Sequence, residues 1–450
     1  MGEIKHILMV TVAAHGHYIP MSQLADKIAK HHRVTLALPQ AFLDVVRADK
    51  IEPKEDSISL LGIQDGLDLS DPSSLAGFKT IVIPSVKKLF QSVFDWNGET
   101  KLQSACEVRS PVDAVIADDM LAPALPTLHA LGVPFYVFNS GSSGRMLHYL
   151  SVNADTPVCE ESVSRGEQPF IAVPSEGKHP PPMLQIIKDI LLPIHENVHL
   201  ATGVIAATMS SLEADLVERI RKHPDMRGVG LFNVGPHVAG GEAQTDEERK
   251  VEVWLDAREP ASVIYIAFGT MGEQPPERVR VIAEALLAIG RPFIWSLLAD
   301  RQVYLPEELR DGIERQLNGE GNCKGLILTW APQRMILNHQ ATAVFVSHCG
   351  WNSTMDSLIG GVPVVAWPQG VDQMMNALML MRNGTAVLVD EGDRANRRTV
   401  GSGQVERIIR SVLDDESYKK AANSWKNAIA TSVAPKGESH NEFLALIAAL

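Results

Sequence analysis

At 450 residues the chain is too long for one hydrophobic core, so two domains of roughly 200 residues each are expected. Hydrophobic residues at 45% and charged ones at 21% are the balance of a globular protein and exclude a disordered one. The net charge of −13, with cationic stretches that are short and mixed with acids, excludes nucleic acid as a partner, and leaves any anionic ligand to backbone amides and a few local donors.

From the N-terminus, Met1 to His6 runs into an apolar stretch too short for a signal-peptide core, and no stretch reaches the roughly 18 apolar residues of a membrane span. Ile7–Val12 is a β-branched run of the kind buried in a parallel sheet. Pro20 then opens a segment with apolar Met21, Leu24, Ala25, Ile28 and Ala29 at helical spacing, and Val34–Leu38 reads as a second strand. This βαβ unit predicts a doubly wound α/β domain. Ala114–Ala117 and Pro134–Phe138 are two more strands flanking a helix.

Val234–Gly241, followed by polar and charged residues to about Lys250, reads as a linker. Beyond it the α/β rhythm restarts. Strands are expected at 262–267, 292–295, 325–328, 343–346 and 362–366, with a helix near 276–289. Two Rossmann-like halves joined in this way would place a cleft between them. Cys106, Cys159, Cys323 and Cys349 lie far apart with no Cys-x-x-Cys pair, which excludes a zinc ribbon or disulfide scaffold and fits a reducing, cytoplasmic setting.

Two segments carry chemistry. In the first half, His15-Gly16-His17-Tyr18-Ile19-Pro20 lies between the first strand and the first helix, at the sheet edge where α/β folds bind ligands. A histidine beside a helix N-terminus is disfavoured as a cation and available as a base. Two histidines at i, i+2 could instead begin a metal site, but the sequence identifies no third ligand. In the second half, the block from Trp330 to Gln373 contains a strand, then His348-Cys349-Gly350-Trp351-Asn352-Ser353, then a helix expected to start at Thr354-Met355-Asp356. Strand, glycine turn and helix start form an anion cradle, with His348, Asn352 and Ser353 adding donors. Trp330 follows a strand where an aromatic plate could stack on a base, and Asp372-Gln373 offers an acceptor pair and an amide for sugar hydroxyls.

This block resembles the plant secondary product glycosyltransferase signature of the UDP-dependent glycosyltransferases (family 1, GT-B fold): Trp330-Ala331-Pro332-Gln333, His348 to Ser353, Gly361-Val362-Pro363 and Asp372-Gln373 all stand where that signature has them. The resemblance implies a GT-B fold, two Rossmann-like doubly wound domains facing across a cleft: an acceptor-binding domain over 1–238, a UDP-sugar-binding domain over 239–430, and a last helix over 431–450 returning to the first. It implies that Trp330 stacks on uracil, Ala331 and Gln333 hold the base and ribose edge, and His348, Gly350, Asn352 and Ser353 receive the phosphates with Thr270. Trp351, Asp372 and Gln373 would meet the sugar. Asp356 stands where the family has a Glu for the ribose, Gly370 where an aromatic residue often precedes the Asp-Gln pair, and Ala343-Val344 in place of a glycine-rich step.

Gly16-His17-Tyr18-Ile19-Pro20 matches the family's Gly-His-x-x-Pro, which makes His17 the implied general base and His15 a bystander. Asp118, ending the strand from Ala114, is its implied partner, with Asp119 expected on the opposite face. The implied enzyme is an inverting UDP-glycosyltransferase that moves glucose to a hydroxyl of a small apolar or phenolic acceptor, with no metal and no cofactor beyond the UDP-sugar, as a monomer. Rival expectations are a C-glycosyltransferase and a non-catalytic nucleotide-sugar binder. A dinucleotide oxidoreductase is disfavoured because no Gly-x-Gly-x-x-Gly follows the first strand, and a serine hydrolase because Gly141-Ser142-Ser143-Gly144 lacks the nucleophile spacing. The proline-interrupted region Lys178–Met183 is expected to help shape the acceptor pocket.

Overall fold

The computed structural model describes residues 3–67, 81–94, 111–151, 192–238, 245–269, 274–310, 324–370, 372–389 and 400–450. Thr270, Lys178–Met183, Cys106, Cys159 and Cys323 lie outside these residues. Two compact units divide the described chain, one taking the residues up to His237 together with Ser432–Leu450, the other Val238–Thr431.

The first unit is built on seven strands: β1 (His6–Val10), β2 (Arg33–Pro39), β3 (Ile58–Ile63), β4 (Ala114–Asp118), β5 (Phe135–Asn139), β6 (Gly203–Ala206) and β7 (Gly230–Asn233). They lie in the order β3-β2-β1-β4-β5-β6-β7, all parallel. The order reverses direction at β1, whose neighbours are β2 and β4, so a crevice opens at the carboxyl ends of β1 and β4. Every residue of β1, β4 and β5 is buried, as expected of strands covered by helices on both faces. The last helix, Glu438–Ala449, packs Phe443 and Leu446 into this unit's core beside Met9, Leu36 and Ile116. Tyr136 Oη donates to Ala449 O at 2.9 Å and Lys5 Nζ to Leu450 O at 2.6 Å.

The first helix departs from the sequence reading. It runs His15–Ile28, so Pro20 lies within it and the His15-Gly16-His17 segment is its first turn, not the loop before it. The turn closes early because both His17 N and Tyr18 N donate to Ala14 O, at 3.0 and 2.9 Å, ahead of the residue that lacks an N–H.

The second unit contains β8 (Val263–Ala267), β9 (Phe293–Ser296), β10 (Gly325–Leu328), β11 (Thr342–Ser347), β12 (Val364–Ala366) and β13 (Ala386–Leu388), in the parallel order β10-β9-β8-β11-β12-β13. At Ala343-Val344 the pairing of β11 with β8 shifts register. The expected linker ends sooner than predicted: Asp246–Asp256 is a helix, begun by a capping box in which Thr245 and Glu248 bond each other's backbone N–H groups. The helix after β11 also starts earlier, at Trp351 rather than Thr354, with Gly350 as its N-cap and Thr354 N donating to Gly350 O at 2.9 Å. Among the described residues no helix is long and apolar enough to cross a membrane.

Candidate functional site

In the first unit the chemistry gathers where β1 and β4 end. The register pairs Val10 with Ala117, so Thr11 and Asp118 are neighbours one step further on, and the helix that follows β1 carries His17 over them. His17 Nδ1 lies 3.0 and 3.1 Å from the two oxygens of the fully buried Asp118. Thr11 Oγ1 donates to Asp118 Oδ2 at 3.2 Å and Met120 N to Oδ1 at 3.0 Å, so the carboxylate is fixed before the imidazole reaches it. With Nδ1–H directed at Asp118, the neutral ring carries its lone pair on Nε2. The His17 side chain is 17% exposed, enough for a ligand to reach it. Burial opposes the charged imidazole, but the charge of Asp118, its hydrogen bond and the charge of Asp119 outweigh that cost and hold His17 above its ordinary value, the opposite direction to that expected from a helix N-terminus. The Asp118 carboxyl is held below the usual range: burial works against its charged form and His17 more than compensates.

His15 turns elsewhere and meets Phe42 edge-on, with ring centroids 5.2 Å apart. Asp119 is not on the opposite face as strand alternation predicted. The strand ends at Asp118, and Asp119 opens a 3-10 turn that swings its Oδ1 to 3.8 Å from His17 Nδ1. Its Oδ2 pairs with the buried Arg145. Ligand atoms of His17, Asp118 and Asp119 lie within 4.8 Å of one another, a group that His15 does not join. The Arg145 guanidinium already supplies a cation to Asp119. Ser140 Oγ, 2.9 Å from both His17 Nδ1 and Arg145 Nη2, completes the cluster. Arg145 and Ser140 gave no sequence signal beyond a single arginine in a run of small and apolar residues.

In the second unit β8 and β11 are paired through Ala267 and Ser347, so Gly269 and His348 emerge side by side. A Cβ at Gly269, whose φ is +69°, or at Gly350 would sit 2.6 Å from His348 Nε2. The two glycines thus clamp the imidazole, and burial pulls it down to about 4 against a hydrogen bond to the Ala267 backbone, leaving a neutral ring at physiological pH. Cys349 adopts a left-handed φ of 62°. Its N–H donates to Ser347 Oγ at 3.0 Å, and its carbonyl accepts from Asn376 Nδ2 at 3.0 Å, which holds the strained turn open at the start of the Trp351–Gly360 helix. Its buried thiol is pushed up to about 12 and is inert. Gly350 has no side chain with which to cap the first turn of Trp351, Asn352 and Ser353, the arrangement that receives an anion.

Gln333, Ser353 and Asp356 are joined directly. Ser353 Oγ donates to Gln333 Oε1 at 3.3 Å, and Gln333 Nε2 to Asp356 Oδ2 at 2.9 Å. Arg334, which the sequence reading did not single out, donates to Asp356 Oδ1 from Nε at 2.8 Å and Nη2 at 2.6 Å. The shorter carboxylate is thus pinned from the Gln333–Asn338 helix. Trp330 stands after β10 with 62% of its surface exposed, next to the buried Ala331. Asp372 is the N-cap of the Gln373–Arg382 helix and is buried. Gln373 turns Oε1 back to accept Gln369 N at 2.7 Å and Gly370 N at 3.1 Å, so its amide N–H₂ is the end left to meet a ligand.

Residues 222–427 match the family described as UDP-glucoronosyl and UDP-glucosyl transferase. Malvidin galactosylase UGT88C3 of Oryza sativa subsp. japonica is 33% identical over 452 residues, 91% of this chain and 89% of that protein. UDP-glycosyltransferase 84B1 of Arabidopsis thaliana is 28% identical over 467 residues, 97% and 96% of the two chains. Among solved structures, Os79 from O. sativa in complex with UDP superposes with a TM-score of 0.77 at 23% identity, over 99% of this chain and 100% of the other. Phytolacca americana UGT2, complexed with UDP-2fluoro-glucose and pterostilbene, gives 0.75 at 21% identity over 100% of both. The shared fold is GT-B.

Proposed function

The chain belongs to the plant UDP-glycosyltransferases of family 1, and from that premise we propose that it transfers glucose from UDP-glucose to a hydroxyl of a small apolar or phenolic acceptor, with inversion, using His17 as general base and Asp118 as its partner. The observation that supports this most is the bond from His17 Nδ1 to both oxygens of a buried carboxylate, which leaves Nε2 as the basic atom of a partly exposed ring. The acceptor O–H gives its proton to Nε2 while its oxygen forms a bond to the anomeric carbon. The bond from that carbon to the diphosphate breaks, and the electron pair leaves with UDP. Asp118 stabilises the imidazolium so formed.

In this reading the first unit binds the acceptor and the second binds the donor. Trp330 stacks on uracil, Ala331, Gln333 and Asp356 face the base and ribose, His348 and the first turn from Gly350 to Ser353 receive the diphosphate with Thr270, and Trp351, Asp372 and Gln373 meet the sugar. Charge on the leaving diphosphate is met by helix dipole and neutral donors rather than by a metal. A monomer in the cytoplasm completes the reading.

The test is a panel of phenols incubated with UDP-glucose, UDP-galactose or UDP-glucuronate and read by mass spectrometry. A hexosylated phenol formed with UDP-glucose above the other donors supports the proposal. Preferential use of UDP-galactose, the sugar implied by the name of the rice relative, would overturn the donor assignment, and UDP binding without any product would favour a non-catalytic binder.

Two further outcomes are expected. Trp330→Ala raises KM for the UDP-sugar by about 5- to 150-fold with little change in kcat, because base–aromatic stacking is worth about 1–3 kcal/mol; steady-state kinetics in donor concentration checks it. The pH profile of kcat/KM loses activity on the acid side as His17 is protonated, with its midpoint above the ordinary imidazole value of 6.5, since the carboxylates around it favour the cation. A midpoint below 6.5 would contradict the charge balance described for the cluster.

A further inference from the structure

Next to the His17–Asp118 pair lies a second buried carboxylate whose charge the chemistry does not consume. Asp119 is fully buried, as is Asp118, and its Oδ1 has no hydrogen-bond partner among the described residues although it lies only 3.8 Å from His17 Nδ1. Its other oxygen is held by Arg145, from the Ser143–Ser151 helix, and Arg145 also donates to Ser140 Oγ, which itself contacts His17 Nδ1. The guanidinium is placed deliberately. It packs over Gly141, where a Cβ would come within 2.5 Å of Arg145 Nε, and Tyr149 lies under it with the ring centroid 5.5 Å from Cζ. The start of its helix is fixed by the buried Glu213, which accepts from Ser143 N at 2.9 Å.

We propose that Asp119 and Arg145 are positioning residues that set the basicity of His17, Asp119 by favouring the imidazolium through space and Arg145 by keeping Asp119 charged and anchoring Ser140 beside the ring. Among the described residues, the charged groups facing His17 are Asp118, Asp119 and Arg145. With the imidazole neutral, two carboxylates face one guanidinium; proton uptake brings the cluster to neutrality. The resting site therefore carries one uncompensated negative charge away from bulk water, where its attraction for a proton on His17 is weakly screened. Without Arg145 the second carboxylate would be buried unpaired and would take up a proton itself, a tendency visible in Asp119, which burial pushes up to about 6 against the pull of Arg145. The arginine keeps Asp119 an anion, and Asp119 keeps His17 a better base than Asp118 alone would.

This inference rests on His17 being the general base, but its test does not require turnover. The imidazole of His17 is titrated by NMR in the full-length protein labelled at histidine Cε1, with the resonance assigned by its loss in His17→Gln. Asp119→Asn, which keeps the shape and can still accept from Arg145, is expected to move the His17 midpoint down. Arg145→Met is expected to move it down as well, but less far, because the unpaired Asp119 takes up a proton and both charges are then lost; Arg145→Lys is expected to return it towards wild type, and the double variant Asp119→Asn/Arg145→Met to match Arg145→Met. An unchanged midpoint in Asp119→Asn, or an upward shift in Arg145→Met, overturns the proposal. Should His17→Gln instead leave transfer to a phenol unaffected while these shifts occur, the general-base reading fails and the electrostatic assignment stands.

Discussion

His17→Ala is expected to lower kcat/KM for transfer to a phenol by about 10²–10⁴-fold, the usual worth of a positioned general base, while the Kd for UDP stays within a few-fold of wild type. The two readouts separate because His17 belongs to the first unit's β1–β4 crevice and the proposed donor residues to the second unit, with no residue in common. Deleting the ring removes the atom proposed to take the proton and alters no residue of the Gly350 turn or Trp330. Calorimetry with UDP and a UDP-release assay, run on the same preparation, check both halves of the prediction. Equal loss of binding and transfer would mean that His17 supports the fold or the donor site instead.

Asp118→Asn is expected to be as damaging, on the order of 10⁴-fold in kcat, because it alters the tautomer and not only the charge. Asp118 Oδ1 accepts from Met120 N, so an amide oxygen is claimed there, and the amide N–H₂ then faces Thr11 and His17 Nδ1. The imidazole must accept at Nδ1 and carry its proton on Nε2, where the acceptor hydroxyl needs a lone pair. Loss of the neighbouring charge also moves the acid limb of the pH profile down, since Asp118 is the largest influence favouring the His17 cation. A loss of less than about tenfold would show that Asp119, 3.8 Å away, can orient the ring in its place.

What could be read from the sequence follows the range of the interactions. Fully buried parallel strands are apolar β-branched runs, so β1, β2, β4, β8 and β11 announce themselves, and Pro276–Ile289 is marked by its proline and by Gly290 just beyond it. Short strands such as β6 and β13, of four and three residues, owe their existence to a neighbour already in the sheet and leave no local pattern. The start of the first helix was misread because Pro20 looks like an opener, whereas the Ala14 carbonyl had already nucleated the turn. Thr245-x-x-Glu248 was a legible helix start hidden in what read as a linker. The donor-side block is contiguous and could be recognised as a unit. His17 and Asp118 lie 101 residues apart and could be paired only through family likeness. Asp119, Ser140 and Arg145 come together only once β4, β5 and the following helix are placed, and alternation along β4 pointed Asp119 the wrong way.

Both mutational outcomes presuppose that UDP is gripped in the second unit. A crystal structure of the protein grown with UDP tests that most directly: uracil is expected over the exposed face of Trp330 and the diphosphate at the Gly350–Ser353 turn beside His348. Diphosphate bound at His17 and Asp118, or anywhere away from residues 348–353, would contradict it.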